Sequence, residues 1–127
     1  MEPVFIVLLI ALLEYLTFGG LVARARATYG VQAPATTGDP TFERIYRVQQ
    51  NTLENLVVFV PAIWIFGLYV DPLWASGLGV LFVVGRAVYA AAYIKAADKR
   101  GPGAALTGLT NGVLVIGALV GVVIGLL

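Results

Sequence analysis

The sequence predicts an all-α integral membrane protein, a four-helix bundle formed by one domain over residues 1–127. Three observations carry that expectation. The chain is 60% hydrophobic and only 12% charged, where a soluble domain carries about 25% charged residues. Four stretches are long and apolar enough to cross a bilayer, which takes about 20 mostly apolar residues. Short runs rich in Gly, Pro, Asp and Thr separate them.

The first span, Val4 to Ala23, is interrupted only by Glu14 and Thr17 and predicts a helix over about 3–28. It does not read as a signal peptide. Glu2 stands where a basic n-region belongs, and no small-residue cleavage site follows. GVQAPATTGDPTF, residues 30–42, has the composition of a loop. The second helix is expected over about 41–69. Its apolar part, Leu56 to Val70, would rise only about 22 Å at the helical rise per residue. The polar run RVQQNTLEN, residues 47–55, supplies the missing length. Pro61 is expected to kink this helix without ending it, because neighbouring helices can satisfy the freed carbonyl. VDP, residues 70–72, reads as a tight turn, since Pro72 disfavours helix at Asp71. The third helix, about 73–97, carries one charge in its apolar part, Arg86. DKRGPG, residues 98–103, is a further break. The fourth helix, about 104–126, has no charge. Gly117, Gly121 and Gly125 form a row at four-residue spacing, with Gly108 and Gly112 above it. Such rows let a second helix approach closely.

Basic residues orient the bundle. Arg24, Arg26, Arg44, Arg47, Lys95, Lys99 and Arg100 flank the first and third connections. The positive-inside rule places those loops in the cytoplasm and both termini on the opposite side. The chain has no Cys and no His, which excludes a protein thiol nucleophile, thiolate metal sites and the commonest general base. No metal site is expected. A net charge of +1 gives no reason to expect a nucleic-acid partner.

The polar run raises the functional question. Arg47, Asn51 and Glu54 follow i, i+4, i+7 spacing and share a helix face. Glu43 precedes Arg47 by four residues, Asn55 follows Asn51 by four, and Gln49 and Gln50 flank the stripe. Charges at membrane depth face a bundle interior or a wet cavity. One reading is an internal ion-pair network, with Arg47 held by Glu43 and Glu54. The surplus of amides over what one ion pair requires favours a binding face. On the third helix, Arg86, Tyr89 and Tyr93 fall at i, i+3, i+7, with Arg100 two turns on. Tyr89 and Tyr93 read equally as an aromatic belt, and Arg86 as a bridge to Glu14 or Glu54. Together the two helices offer cationic and amide donors for an anionic ligand. The polar surface of the second helix calls for cover by an oligomeric partner.

FERIYRVQQNTLEN (residues 42–55), preceded by TTGDPTFER and followed by RAVYAAAY (86–93) and KRGPG (99–103), resembles the signature of the MAPEG family, the membrane-associated proteins of eicosanoid and glutathione metabolism. The likeness is greatest to the leukotriene-C synthase and microsomal glutathione transferase branch. That resemblance implies a homotrimer binding glutathione between subunits near the cytosolic side. It implies that Arg47, Asn51 and Glu54 hold the tripeptide, that Gln49 serves the adjacent site, and that Arg26 reaches across the interface. It further implies that Tyr89 and Tyr93 bind glutathione and that Arg100 faces the thiol as the catalytic residue. Asn55 departs from the synthase pattern, which has Tyr, and matches the microsomal transferases. The implied activity is a membrane glutathione transferase or peroxidase acting on lipophilic electrophiles or lipid hydroperoxides, with detoxification as its setting. The chemistry is coherent with the residues: Arg forks onto carboxylates, and a guanidinium stabilises the thiolate that the chain itself cannot supply. Two other readings stand beside it. One is a small multidrug-type proton-coupled transporter using Glu14. The other is a non-catalytic lipid-binding member of the same family.

Overall fold

The computed structural model spans residues 1–127 and consists of four long helices: α1 (Glu2–Tyr29), α2 (Pro40–Tyr69), α3 (Pro72–Lys95) and α4 (Gly101–Leu126), with one 3₁₀ turn at Ala97–Arg100. The shortest, α3, has 24 residues and rises about 36 Å. All four are long and apolar enough to cross a membrane. The chain is an integral multi-pass membrane protein.

Two helices start by the same local device. Asp39 and Asp71 each sit in extended backbone, accept a hydrogen bond from the N–H of Phe42 (2.9 Å) and Trp74 (2.8 Å), and are followed by Pro in the first turn. The carboxylate satisfies an orphan N–H, and Pro lacks one where none is needed. Asp39 therefore begins α2 at Pro40, inside the stretch 30–42 that composition reads as loop. Gly30 ends α1 at φ 69°, a left-handed conformation open to glycine at no steric cost. The break expected over 98–103 is narrower in the structure. Ala96 turns extended, one 3₁₀ turn follows, and α4 starts at Gly101 with Pro102 in its first turn. The helix α2 runs unbroken past Pro61.

In lipid there is little hydrophobic drive between helices, so shape complementarity holds the bundle. The main core joins Val4, Val7 and Ala11 of α1 with Phe59, Ile63 and Phe66 of α2, Phe82 of α3 and Leu114 of α4. Phe59 and Phe82 stack at 3.9 Å. Glycines make the closest approaches. A Cβ on Gly117 would lie 2.5 Å from the Phe66 ring, and one on Gly121 2.9 Å from Val70. The lower glycine row thus packs α4 on α2 within the chain, while Gly108 and Gly112 face open space. Outward, α1 presents Ile6, Leu9, Leu13 and Leu16, a face suited to hydrocarbon. Hydroxyls inside the helices bond back four residues, as Thr52 does to the Val48 carbonyl (2.7 Å) and Thr107 to that of Gly103 (3.0 Å).

The side chain of Met1 lies 3.0 Å from where a Cβ on Gly67 would be, and Tyr69 borders Gly125. Both termini therefore share one end of the bundle with the α2–α3 turn. The first and third connections, with their basic residues, lie at the other.

Candidate functional site

At the basic end, two small clusters continue the core upward. Phe18, Val48, Tyr89 and Ala90 form one; Val22, Ala25, Val31 and Phe42 form the other. They fix the side chains around a cavity of about 410 Å³ lined by Thr36, Pro40, Glu43, Arg44, Tyr46, Arg47 and Tyr93. It is an open groove with a mostly polar wall. A second groove of about 400 Å³, between α2 and α4, is lined by Val58, Pro61, Ala62, Ile65, Val115, Ala118, Leu119 and Val122. It has no charged group and cannot hold an acidic ligand.

Of the residues singled out on the polar faces, the cavity brings together Glu43, Arg47 and Tyr93. Tyr89 stands behind Tyr93, stacked on it at 5.4 Å with the ring planes 23° apart. Asn51 lies one turn deeper than Arg47, and Glu54 one turn beyond that, exposed. Arg47 makes no ion pair with Glu43 or Glu54; the one ion pair in the structure joins the Met1 amine to Glu2. Glu43 instead accepts from the Gly38 N–H at 3.2 Å. The ion-pair network that the spacing allowed is absent, because Glu43 is drawn back to the start of α2. Arg86 likewise forms no bridge to Glu14 or Glu54.

Three predicted residues sit elsewhere in the chain. Arg26 donates from Nη1 to the carbonyls of Ala35 (2.7 Å) and Val31 (3.4 Å) and lies 5.0 Å over the Phe42 ring, so it clasps its own loop. Gln49 points to α1, its Nε2 lying 3.0 Å from where a Cβ on Gly19 would be. It is two residues from Arg47, hence on a different helix face. Arg100 is exposed at the end of the 3₁₀ turn and makes no hydrogen bond through its side chain.

The structure adds residues that spacing did not flag. Arg44 donates from Nε to the Ile94 carbonyl at 3.1 Å, tying α2 to the end of α3 beside Tyr93. Thr36 and Tyr46 complete the cavity wall. Asn55 donates to the Asn51 carbonyl (2.8 Å) and Oδ1 (3.2 Å), and its own carbonyl and Oδ1 accept from Asn111 Nδ2 at 3.3 and 3.4 Å. Asn111 is the one amide side chain of α4, buried beside Thr107 and Thr110, a signal that a search for charges alone passes over.

The MAPEG family matches residues 4–120. The chain belongs to that family. Among MAPEG relatives and similar proteins, it is 49% identical over 113 residues to the uncharacterized protein sll1147 of Synechocystis sp., covering 89% of this chain and 82% of that one. It is 39% identical to human microsomal glutathione S-transferase 2, covering 79% of this chain and 66% of the relative. It is 35% identical to leukotriene C4 synthase of Cavia porcellus, covering 74% and 63%. The chain thus spans about two thirds of the length of those two animal proteins.

In this MAPEG chain one close contact sets the spacing between the tyrosines and the third connection. A Cβ on Gly103 would collide with the Tyr89 backbone nitrogen and lie 2.6 Å from its Cα. Backbone cannot yield as a flexible side-chain tip can. Gly103→Ala is expected to push α4 from α3 and to destabilise the protein by about 1–3 kcal/mol, the usual range for overpacking. Thermal unfolding in detergent measures it, and a melting temperature equal to that of the unaltered protein would show the contact to be slack.

Proposed function

We propose that the protein is a membrane-embedded glutathione transferase or peroxidase that ionises the glutathione thiol and directs it at lipophilic electrophiles. The observation that carries this reading is the cavity shared by Arg44, Arg47 and Tyr93, where Arg47 makes no ion pair and the one carboxylate of the wall, Glu43, accepts from the Gly38 N–H. Glutathione has two carboxylates, an ammonium and a thiol. Arg47 forks onto a carboxylate with two charge-assisted hydrogen bonds. Asn51 offers an amide, Glu54 takes the ammonium, and Tyr93, backed by Tyr89, supplies a ring and a hydroxyl. The functional unit is a homotrimer with its basic loops in the cytosol. The outward polar stripe of α2 favours it, since charge at membrane depth needs cover. In that assembly Arg26, whose Nε and Nη2 are uncommitted, and Gln49 serve a neighbouring protomer's site.

Arg100 supplies the charge for the thiol. A free thiol ionises at a pKa of about 8.5, and a guanidinium stays protonated and favours the thiolate beside it. In conjugation, a sulfur lone pair forms the bond to the electrophilic carbon. The leaving group, or the oxygen of an opened ring, departs with the electron pair and takes up a proton. In peroxide reduction, sulfur attacks one peroxide oxygen, the O–O bond breaks, and an alcohol leaves. A second glutathione then converts the sulfenic acid to the disulfide and water. The relatives named for glutathione transfer and leukotriene C4 synthesis support this class of reaction.

Rapid mixing of purified protein with glutathione tests the reading directly. Ultraviolet absorbance is expected to rise as bound thiolate forms at neutral pH, with saturation in glutathione. A flat trace at saturating glutathione ends the catalytic reading. Proton-coupled uptake into vesicles that Glu14→Gln abolishes would establish the transporter in its place. Retention on immobilised glutathione without turnover of any electrophile would establish the non-catalytic binder.

A further inference from the structure

Arg86 is the largest fully buried side chain in the protein. Its Nε, Nη1 and Nη2 are all buried, and none has a hydrogen-bond partner. A buried charge without a partner is strongly unfavourable, so something specific must hold it. Two groups are in place. The guanidinium carbon lies 4.3 Å from the centre of the Tyr89 ring, within the distance at which a cation is attracted to an aromatic face. On α1, Glu14 Oε1 is likewise buried and without a hydrogen-bond partner, and no direct ion pair joins it to Arg86.

The ring that Arg86 touches is the one behind the cavity. Tyr89 is 3% exposed and packed among Phe18, Val48 and Ala90, and it stacks on Tyr93, which lines the cavity with Arg47. Guanidinium, ring and ring form one series running from the bundle interior to the cavity wall. We propose that Arg86 is a positioning residue for the glutathione pocket: it holds Tyr89 from within the bundle, Tyr89 fixes Tyr93 at the wall, and Glu14 is the counter-charge that keeps Arg86 there. The inference rests on the glutathione reading above, and it assigns Glu14 a part in the same device rather than in transport.

The test separates positioning from mere stability. Arg86→Met leaves Glu14 buried without its counter-charge and is expected to lower the melting temperature. The double variant Glu14→Gln with Arg86→Met contains no unmatched charge, and replacing a buried pair by neutral groups of similar size is often well tolerated. It is expected to recover the melting temperature but to bind glutathione about tenfold more weakly, the scale of a lost desolvated cation–ring contact. The thiolate amplitude at saturating glutathione should hold, because Arg100 is untouched. Arg86→Lys keeps the charge and loses the flat face; it gives the same direction of change if the Met variants fail to accumulate. Fluorotyrosine placed at Tyr89 is expected to shift its ¹⁹F resonance in every Arg86 variant before ligand is added. A double variant that binds glutathione as the unaltered protein does, with that resonance unmoved, overturns the positioning role and leaves the transferase reading intact. Unaltered protein that does not bind glutathione removes both.

Discussion

Arg100→Ala is expected to lower the rate of conjugation at saturating glutathione about a hundredfold, the scale of losing one group that stabilises developing or bound anionic charge. Arg100 is exposed and its side chain is free of hydrogen bonds, so its removal leaves no buried group unsatisfied. Stability should change little, and any loss of rate belongs to chemistry. Bound glutathione then keeps a thiol close to its free pKa of about 8.5, and the neutral-pH thiolate absorbance collapses. Affinity should stay within a few-fold, since the carboxylates are held elsewhere. Arg100→Lys should recover part of the rate, as its ammonium supplies charge without the planar fork. Single-turnover kinetics with a chromogenic electrophile reads the effect. Unchanged turnover in Arg100→Ala would move thiol activation to another cation.

Arg47→Ala is expected to do the reverse, weakening glutathione binding while sparing the rate once the site is full. A hydrogen bond to a charged group contributes about 1.5–3 kcal/mol, which corresponds to a loss of affinity of roughly 10- to 150-fold. Arg47→Lys should fall between, because Lys offers a point charge where Arg offers two parallel donors. Calorimetric titration with glutathione measures the dissociation constant directly. An affinity unaltered in Arg47→Ala would mean that the tripeptide does not use this cavity. The pair of variants divides binding from activation, since each moves one parameter and leaves the other.

The helix count and the membrane character are legible in the sequence because they depend on runs of one chemical type. Hydropathy marks the spans, a signal local to each, whereas the helix starts at Asp39–Pro40 and Asp71–Pro72 lie in stretches that composition reads as loop and turn. The candidate face on α2 is proposed on the same kind of signal: Arg47, Asn51 and Glu54 share a face by periodicity alone. What spacing cannot give is which side chain faces which across the bundle. Arg26 is aligned with a ligand role by motif, yet its Nη1 lies against carbonyls five and nine residues on. Gln49 lies two residues from Arg47 and points at a different helix. Arg86 sits at the right spacing for a bridge, but the ion pair is not made and an aromatic ring takes the cation instead. The approach of Gly103 to the Tyr89 backbone joins residues of two helices, and nothing local to either announces it. Thr36 enters the wall because the first loop is tied back to α2, Gly38 N–H donating to Glu43.

That folded loop bears on how a ligand is received. Arg26 ties the Ala35 carbonyl to the end of α1, Glu43 ties the Gly38 N–H to the start of α2, and Thr36 lies between the two ties. The rim has therefore already surrendered its conformational freedom when the chain folds. A guest arriving at Thr36 and Pro40 meets a rim already tied at two points, so less of its contact energy is consumed in ordering the host.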